Sequence, residues 1–258
     1  LYCMKNAIVL YSLIVLISTS VNAQQNRAIP SEKPKLIVEI VVSQMRFDYI
    51  TRYWDKFSDG GFKLLVNEGA NCKNARYNYL LTQPYPGIAT ISTGTNPSMH
   101  GIISDKWYSR TNGQEVLAVS DEKVSTVGGS FFSGKVSAKN LVTSTLGDEL
   151  ILNNPKSKVI GISLDAGSAI LLTGHNASGV YWFDQEKGTF VTSSYFAENI
   201  PVWLDTFNNK GFSKLYIDRE WKALNPINTY EEADTAKVKS VETKKKLSDK
   251  LKSFVEGI

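Results

Sequence analysis

The rhythm of apolar and polar positions changes several times along the chain. Leu36–Val42, LIVEIVV, is a β-branched run with one charge, the pattern of a strand buried on both faces of a parallel sheet. It stops at Ser43-Gln44. The following MRFDYITRYWDKF has helical spacing, with Phe47, Ile50, Tyr53 and Trp54 on one side. GGFKLLVNEGA reads as a second short helix closed by Gly69. The spacing over Asn140–Asn154 predicts an amphipathic helix, and Lys158–Leu164 a second buried strand, with AILLTG shortly after. Gly179–Asp184 and Thr189–Ser194 form a hairpin pattern around the turn QEKG. Helix and strand patterns alternate, which predicts an α/β fold: a doubly wound, mostly parallel sheet with helices on both faces.

The two ends differ from this middle. Lys5-Asn6, the apolar run Ala7–Ile17 and then STSVNA read as a signal peptide cut between Ala23 and Gln24. The run is shorter than the ~20 residues of a spanning helix, so no stable membrane span is expected after cleavage. Residues 24–35 form a polar leader, and residues 36–195 carry the α/β pattern. Residues 196–258 read as an irregular, aromatic-rich, cap-like subdomain followed by a lysine-rich tail. A solvated helix face explains that tail more simply than an anionic partner surface does.

Composition changes this picture little. The chain has 258 residues, 42% hydrophobic and 21% charged, an ordinary globular balance. Loss of Lys5 with the signal would lower the formal charge from +4 to +3, too little to argue for nucleic acid. Cys72 alone would remain, so no internal disulfide supports the mature fold.

Candidate chemistry centres on NYLLTQPYPGIATISTGTNPSMHGI, Asn78–Ile102. A short helix is expected to start near Pro86, and a nucleophile would sit just before it. That loop offers Thr82, Gln83, Pro84 and Tyr85; the later hydroxyls suit capping and packing. The two histidines, His100 and His175, have no partner at metal-ligand spacing, so turn or packing roles are expected. GGSFFSGKV nearly fits a phosphate-binding loop, but Val136 stands where the magnesium-binding Ser or Thr belongs, and it reads as a chance match.

The order of LIVEIVVSQMRFDYITRYWDKF, NYLLTQPYPGIATISTGTNPSMHGIISDKWY, NLVTSTLGDELIL and SKVIGISLDAGSAILLTGH resembles the alkaline phosphatase superfamily. It is most similar to the bacterial periplasmic, PafA-like branch, near the type I phosphodiesterases/nucleotide pyrophosphatases. The resemblance implies an alkaline phosphatase-like α/β sandwich with an inserted cap, and a family reaction that uses two zinc ions and a Thr or Ser nucleophile to hydrolyse phosphate esters. It also implies that the chain is the N-terminal part of a longer protein.

Position by position, the resemblance departs from that reaction. Ser43 stands at a family aspartate that binds metal, and Pro84 at the nucleophile. Asp105 replaces an asparagine that contacts phosphate. Asp165 and Gly167 replace a lysine and an arginine that embrace it. Proline has neither hydroxyl nor amide proton, and carboxylates repel a phosphate dianion. Thr82 is the substitute nucleophile to consider, but two residues of extended chain displace it by ~6.6 Å. The expectation is therefore no catalytic residue, no metal and no cofactor in this chain, which would be exported to the periplasm or secreted. Three readings stand: an inactive relative with a binding or scaffold role, an active zinc hydrolase that needs a further C-terminal part, and a truncated fragment.

Overall fold

The computed structural model describes residues 34–226, apart from 112, 218 and 221. The signal peptide, most of the leader and the lysine-rich tail lie outside the described residues. The chain divides into two compact units, Leu1–Gly69 and Ala70–Ile258.

In the first unit, α1 (Asp48–Arg52) continues into a 3-10 turn at Trp54–Lys56, and α2 spans Phe62–Glu68. None of these helices buries a residue. Leu36–Val42 corrects the sequence expectation: it has no strand, and Leu36 and Ile40 are each 78% exposed. A strand exists through its ladder to a neighbour, and among the described residues none pairs with this run. The chain then turns at Ser43-Gln44, where Gln44 takes a left-handed φ of 58°.

The second unit carries the core. It contains α3 (Pro84–Thr93), α4 (Pro97–His100), strands β1 (Lys106–Ser109), β2 (Gln114–Leu117) and β3 (Thr126–Val127), then α5 (Leu146–Asn153). Strand β4 (Ile160–Ser163), α6 (Ala166–Thr173), β5 (Gly179–Asp184), β6 (Thr189–Ser193), α7 (Val202–Asn209) and α8 (Phe212–Ile217) follow. The α/β class holds, with a mixed sheet in the order β3-β6-β5-β4. β4 and β5 run parallel through the α6 crossover; β5–β6 and β3–β6 are antiparallel. β1 and β2 pair separately.

The expected hairpin forms, and Gly188 closes its turn with φ 70°. Two helix starts differ from expectation. α3 begins at Pro84 rather than near Pro86, because proline lacks an amide that a first turn would leave unpaired. α5 begins at Leu146, not Asn140, because Thr145 and Asp148 form a capping box that fixes the start there. Lys158–Leu164 gives a strand, but only its Gly161 is buried.

α3 and α6 lie together at the centre. Ala89, Ala169, Ile170 and Leu171 pack with Ile102, Val180, Trp182 and Val191. The Ser92 hydroxyl donates to the Leu171 carbonyl at 2.6 Å, joining the helices through a buried polar contact. Beyond Tyr195, the Asn208 side chain accepts from the Phe190 amide at 2.9 Å and donates to its carbonyl at 2.8 Å. That exchange holds α7 against β6.

Candidate functional site

The first turn of α3 is short of donors. Gln83 is the N-cap, and Pro84 and Pro86 have no amide hydrogen. The Gly87 amide donates to the Gln83 carbonyl at 3.1 Å. The Tyr85 amide remains, and it donates to Asp105 Oδ1 at 2.9 Å. A helix N-terminus draws anions through such amides; here a carboxylate of the chain itself fills that role. Gln83 Oε1 accepts from the Asp105 amide at 2.9 Å and from the Ser104 hydroxyl at 2.6 Å, fixing the loop that presents Asp105.

Tyr85 also reaches across to α6. Its hydroxyl donates to Asp165 Oδ1 at 2.6 Å. Asp165 is the N-cap of α6, and its Oδ2 accepts from the Ser168 amide and hydroxyl, both at 2.8 Å. Burial, then the Asp165 and Asp105 carboxylates, push the Tyr85 phenol far above its ordinary value, so it stays a neutral donor. Its ring lies against Gly167: a Cβ there would stand 2.5 Å from Tyr85 Cε1.

The structure thus gathers Asp105, Asp165 and Gly167 around Tyr85, next to Pro84. The sequence names those four positions and passes over Tyr85 as an agent. The available signal was Pro-Tyr-Pro, a large side chain wedged into a helix start without free amides. Thr82 is exposed and precedes the helix. Ser43 belongs to the first unit.

A second polar cluster escaped the sequence reading. Asp148, 1% exposed, accepts at Oδ2 from the Thr145 amide (3.0 Å) and from His175 Nδ1 (2.9 Å). Its Oδ1 accepts from the amides of His175 (2.8 Å) and Asn176 (2.9 Å). Burial alone would raise this carboxyl, but the His175, Thr145 and Asn176 hydrogen bonds outweigh it and hold it below its usual range. Thr, His and Asp in contact suggest a catalytic set. However, His175 Nε2 faces the Leu141 carbonyl at 2.7 Å, and Thr145 is fully buried. The ring has no free nitrogen to serve as a base, and the hydroxyl has no access to substrate.

His100 has the packing role expected of it. Its Nδ1 accepts from the Ile102 amide at 3.2 Å, its Nε2 contacts the Thr90 hydroxyl at 3.1 Å, and burial lowers its pKa. Among the described residues, no three His, Cys, Asp or Glu side chains stand together as a metal set. Gly128–Val136 is not followed by a helix, as a phosphate-binding loop would be.

Comparison with known proteins gives a consistent result. The sequence profile of type I phosphodiesterase / nucleotide pyrophosphatase matches residues 37–254. Alkaline phosphatase PhoV of Synechococcus elongatus is 39% identical over 248 residues, covering 93% of this chain and 45% of that protein. Alkaline phosphatase PafA of Elizabethkingia meningoseptica is 40% identical, covering 85% and 40% respectively. The crystal structure of wild-type PafA superposes with a TM-score of 0.75 at 42% identity, over 78% of this chain and 39% of that one. The chain thus spans less than half the length of these relatives.

Proposed function

The chain belongs to the type I phosphodiesterase / nucleotide pyrophosphatase family, and from that premise we propose that it is an exported, catalytically inactive relative of the alkaline phosphatases with a binding or scaffold role. The observation that carries this reading is the 2.9 Å hydrogen bond from the Tyr85 amide to Asp105. It fills the anion position of α3 with an internal carboxylate, directly after a proline that has no hydroxyl to attack phosphorus.

The other substitutions act in the same direction. Asp165 adds a second carboxylate, committed to capping α6. Gly167 offers no side-chain donor. Transition-state stabilisation in phosphoryl transfer depends on positive or donor groups aimed at the equatorial oxygens, and these positions supply negative charge or nothing. Export is supported by Lys5, the apolar run Ala7–Ile17 and the small residues ending at Ala23. Among the described residues, no helix is long and apolar enough to cross a membrane.

The test is hydrolysis of an aryl phosphate and an aryl phosphodiester by the full chain supplied with zinc. No zinc-dependent rate above background is expected. A clear rate that disappears on Thr82→Ala would overturn the proposal.

A further inference from the structure

We propose that Tyr85 is the specificity-determining residue of this site: its ring, held over Gly167 by the hydroxyl bond to Asp165, is an obstacle to a phosphate group separate from the charge changes at positions 105, 165 and 167. This rests on the reading of the site as an inactive phosphatase site. Three observations carry it. The ring occupies the space over Gly167 so closely that any side chain there would need its Cβ 2.5 Å from Cε1. Real Cβ atoms do not approach carbon so closely, so a donor side chain at 167 requires the Tyr85 ring to move. The ring is also held at its hydroxyl by Asp165 at 2.6 Å, while Asp105 holds the backbone amide of the same residue at 2.9 Å. Moving it aside breaks a bond to a carboxylate. Finally, the phenol is a neutral group whose hydrogen is already given to Asp165, so it offers an incoming anion no free donor.

It follows that restoring donors one by one does not restore anion binding while Tyr85 remains. The lost positive charges and the inserted ring are separate obstacles, and removing either alone leaves the other.

The experiment compares three variants of the full chain with inorganic phosphate as probe, followed by phosphorus NMR line broadening, with circular dichroism to confirm folding. The first carries Asp105→Asn, Asp165→Lys and Gly167→Arg. The second adds Tyr85→Ala, and the third carries Tyr85→Ala alone. The second is expected to bind phosphate at least ~10-fold more tightly than the first, the scale of a charge-assisted hydrogen bond. The third is expected not to bind, because both carboxylates remain. Equal binding by the first and second variants, or no binding by a folded second variant, would overturn the role of Tyr85. Should the first variant not fold, Gly167→Ala decides. It is expected to lower the melting temperature with Tyr85 present and to be tolerated with Tyr85→Ala; equal tolerance in both backgrounds overturns the proposal. Phosphatase activity in the unaltered chain would overturn the inactive reading, a result separate from all of these.

Discussion

Two aspartates stand at helix starts in the second unit, in opposite surroundings. Asp165 caps α6 at the exposed mouth of the candidate site and shares its other oxygen with Tyr85. Asp148 sits in the first turn of α5, almost wholly enclosed and surrounded by donors from two chain segments, Thr145 and His175-Asn176. The enclosed cluster has the residue types of a catalytic set and no access; the mouth has access and no nucleophile. Composition therefore misleads in both places, and burial with hydrogen-bond direction decides. Removing a partner from the enclosed cluster strands buried donors, whereas at the mouth water replaces what is lost.

This contrast sets the order of expected effects. Asp148→Ala should cost about 3–5 kcal/mol, since it leaves the amides of Thr145, His175 and Asn176 without acceptors. The midpoint of urea unfolding measures it, and a cost under 1 kcal/mol would break the contrast.

Acid should act through the same carboxylate. Asp148, Asp121 and Asp184 are each held below their usual range by hydrogen bonds that outweigh burial. Folded values below unfolded ones mean that their stabilisation is present above about pH 4 and is lost as pH falls through the folded values. Melting temperature recorded from neutral pH downward should fall steeply in acid, and Asp148→Asn should flatten that limb.

Tyr85→Phe, at the mouth, should cost about 1 kcal/mol, the worth of one hydrogen bond. Its midpoint shift should be several times smaller than that of Asp148→Ala; a larger one would place the mouth among the structural elements of the unit. The smallest change is expected from Pro84→Thr. It restores a hydroxyl at the first position of α3 but leaves the surrounding carboxylates and the ring in place, so hydrolysis of aryl phosphate should stay at background.

Parts of the fold were legible in sequence for physical reasons. The β5–β6 hairpin announces itself through two short strand-like runs flanking QEKG and a glycine able to take positive φ. Leu36–Val42 misled because an apolar run shows a need for burial without naming a partner. The starts of α3 and α5 depend on which of several prolines or hydroxyls caps the turn, a choice made by contacts rather than by periodicity. At the candidate site, positions 84, 105, 165 and 167 came from resemblance. Tyr85 stayed hidden because a phenol between prolines carries no motif and takes its meaning from residues 20 and 80 positions away. The Asp148–His175 pair stayed hidden in the same way, across 27 positions.

Those separations bear on the order in which the mouth assembles. The bonds from Gln83 and Tyr85 to Ser104 and Asp105 close loops of 20 to 22 residues, while the bond to Asp165 closes one of 80. Closing the longer loop costs more chain entropy, so the short clasp is free to form while α6 is still remote. The phenol then docks as one of the last events. On this account, removing the Tyr85 hydroxyl quickens unfolding and leaves the refolding rate nearly unchanged.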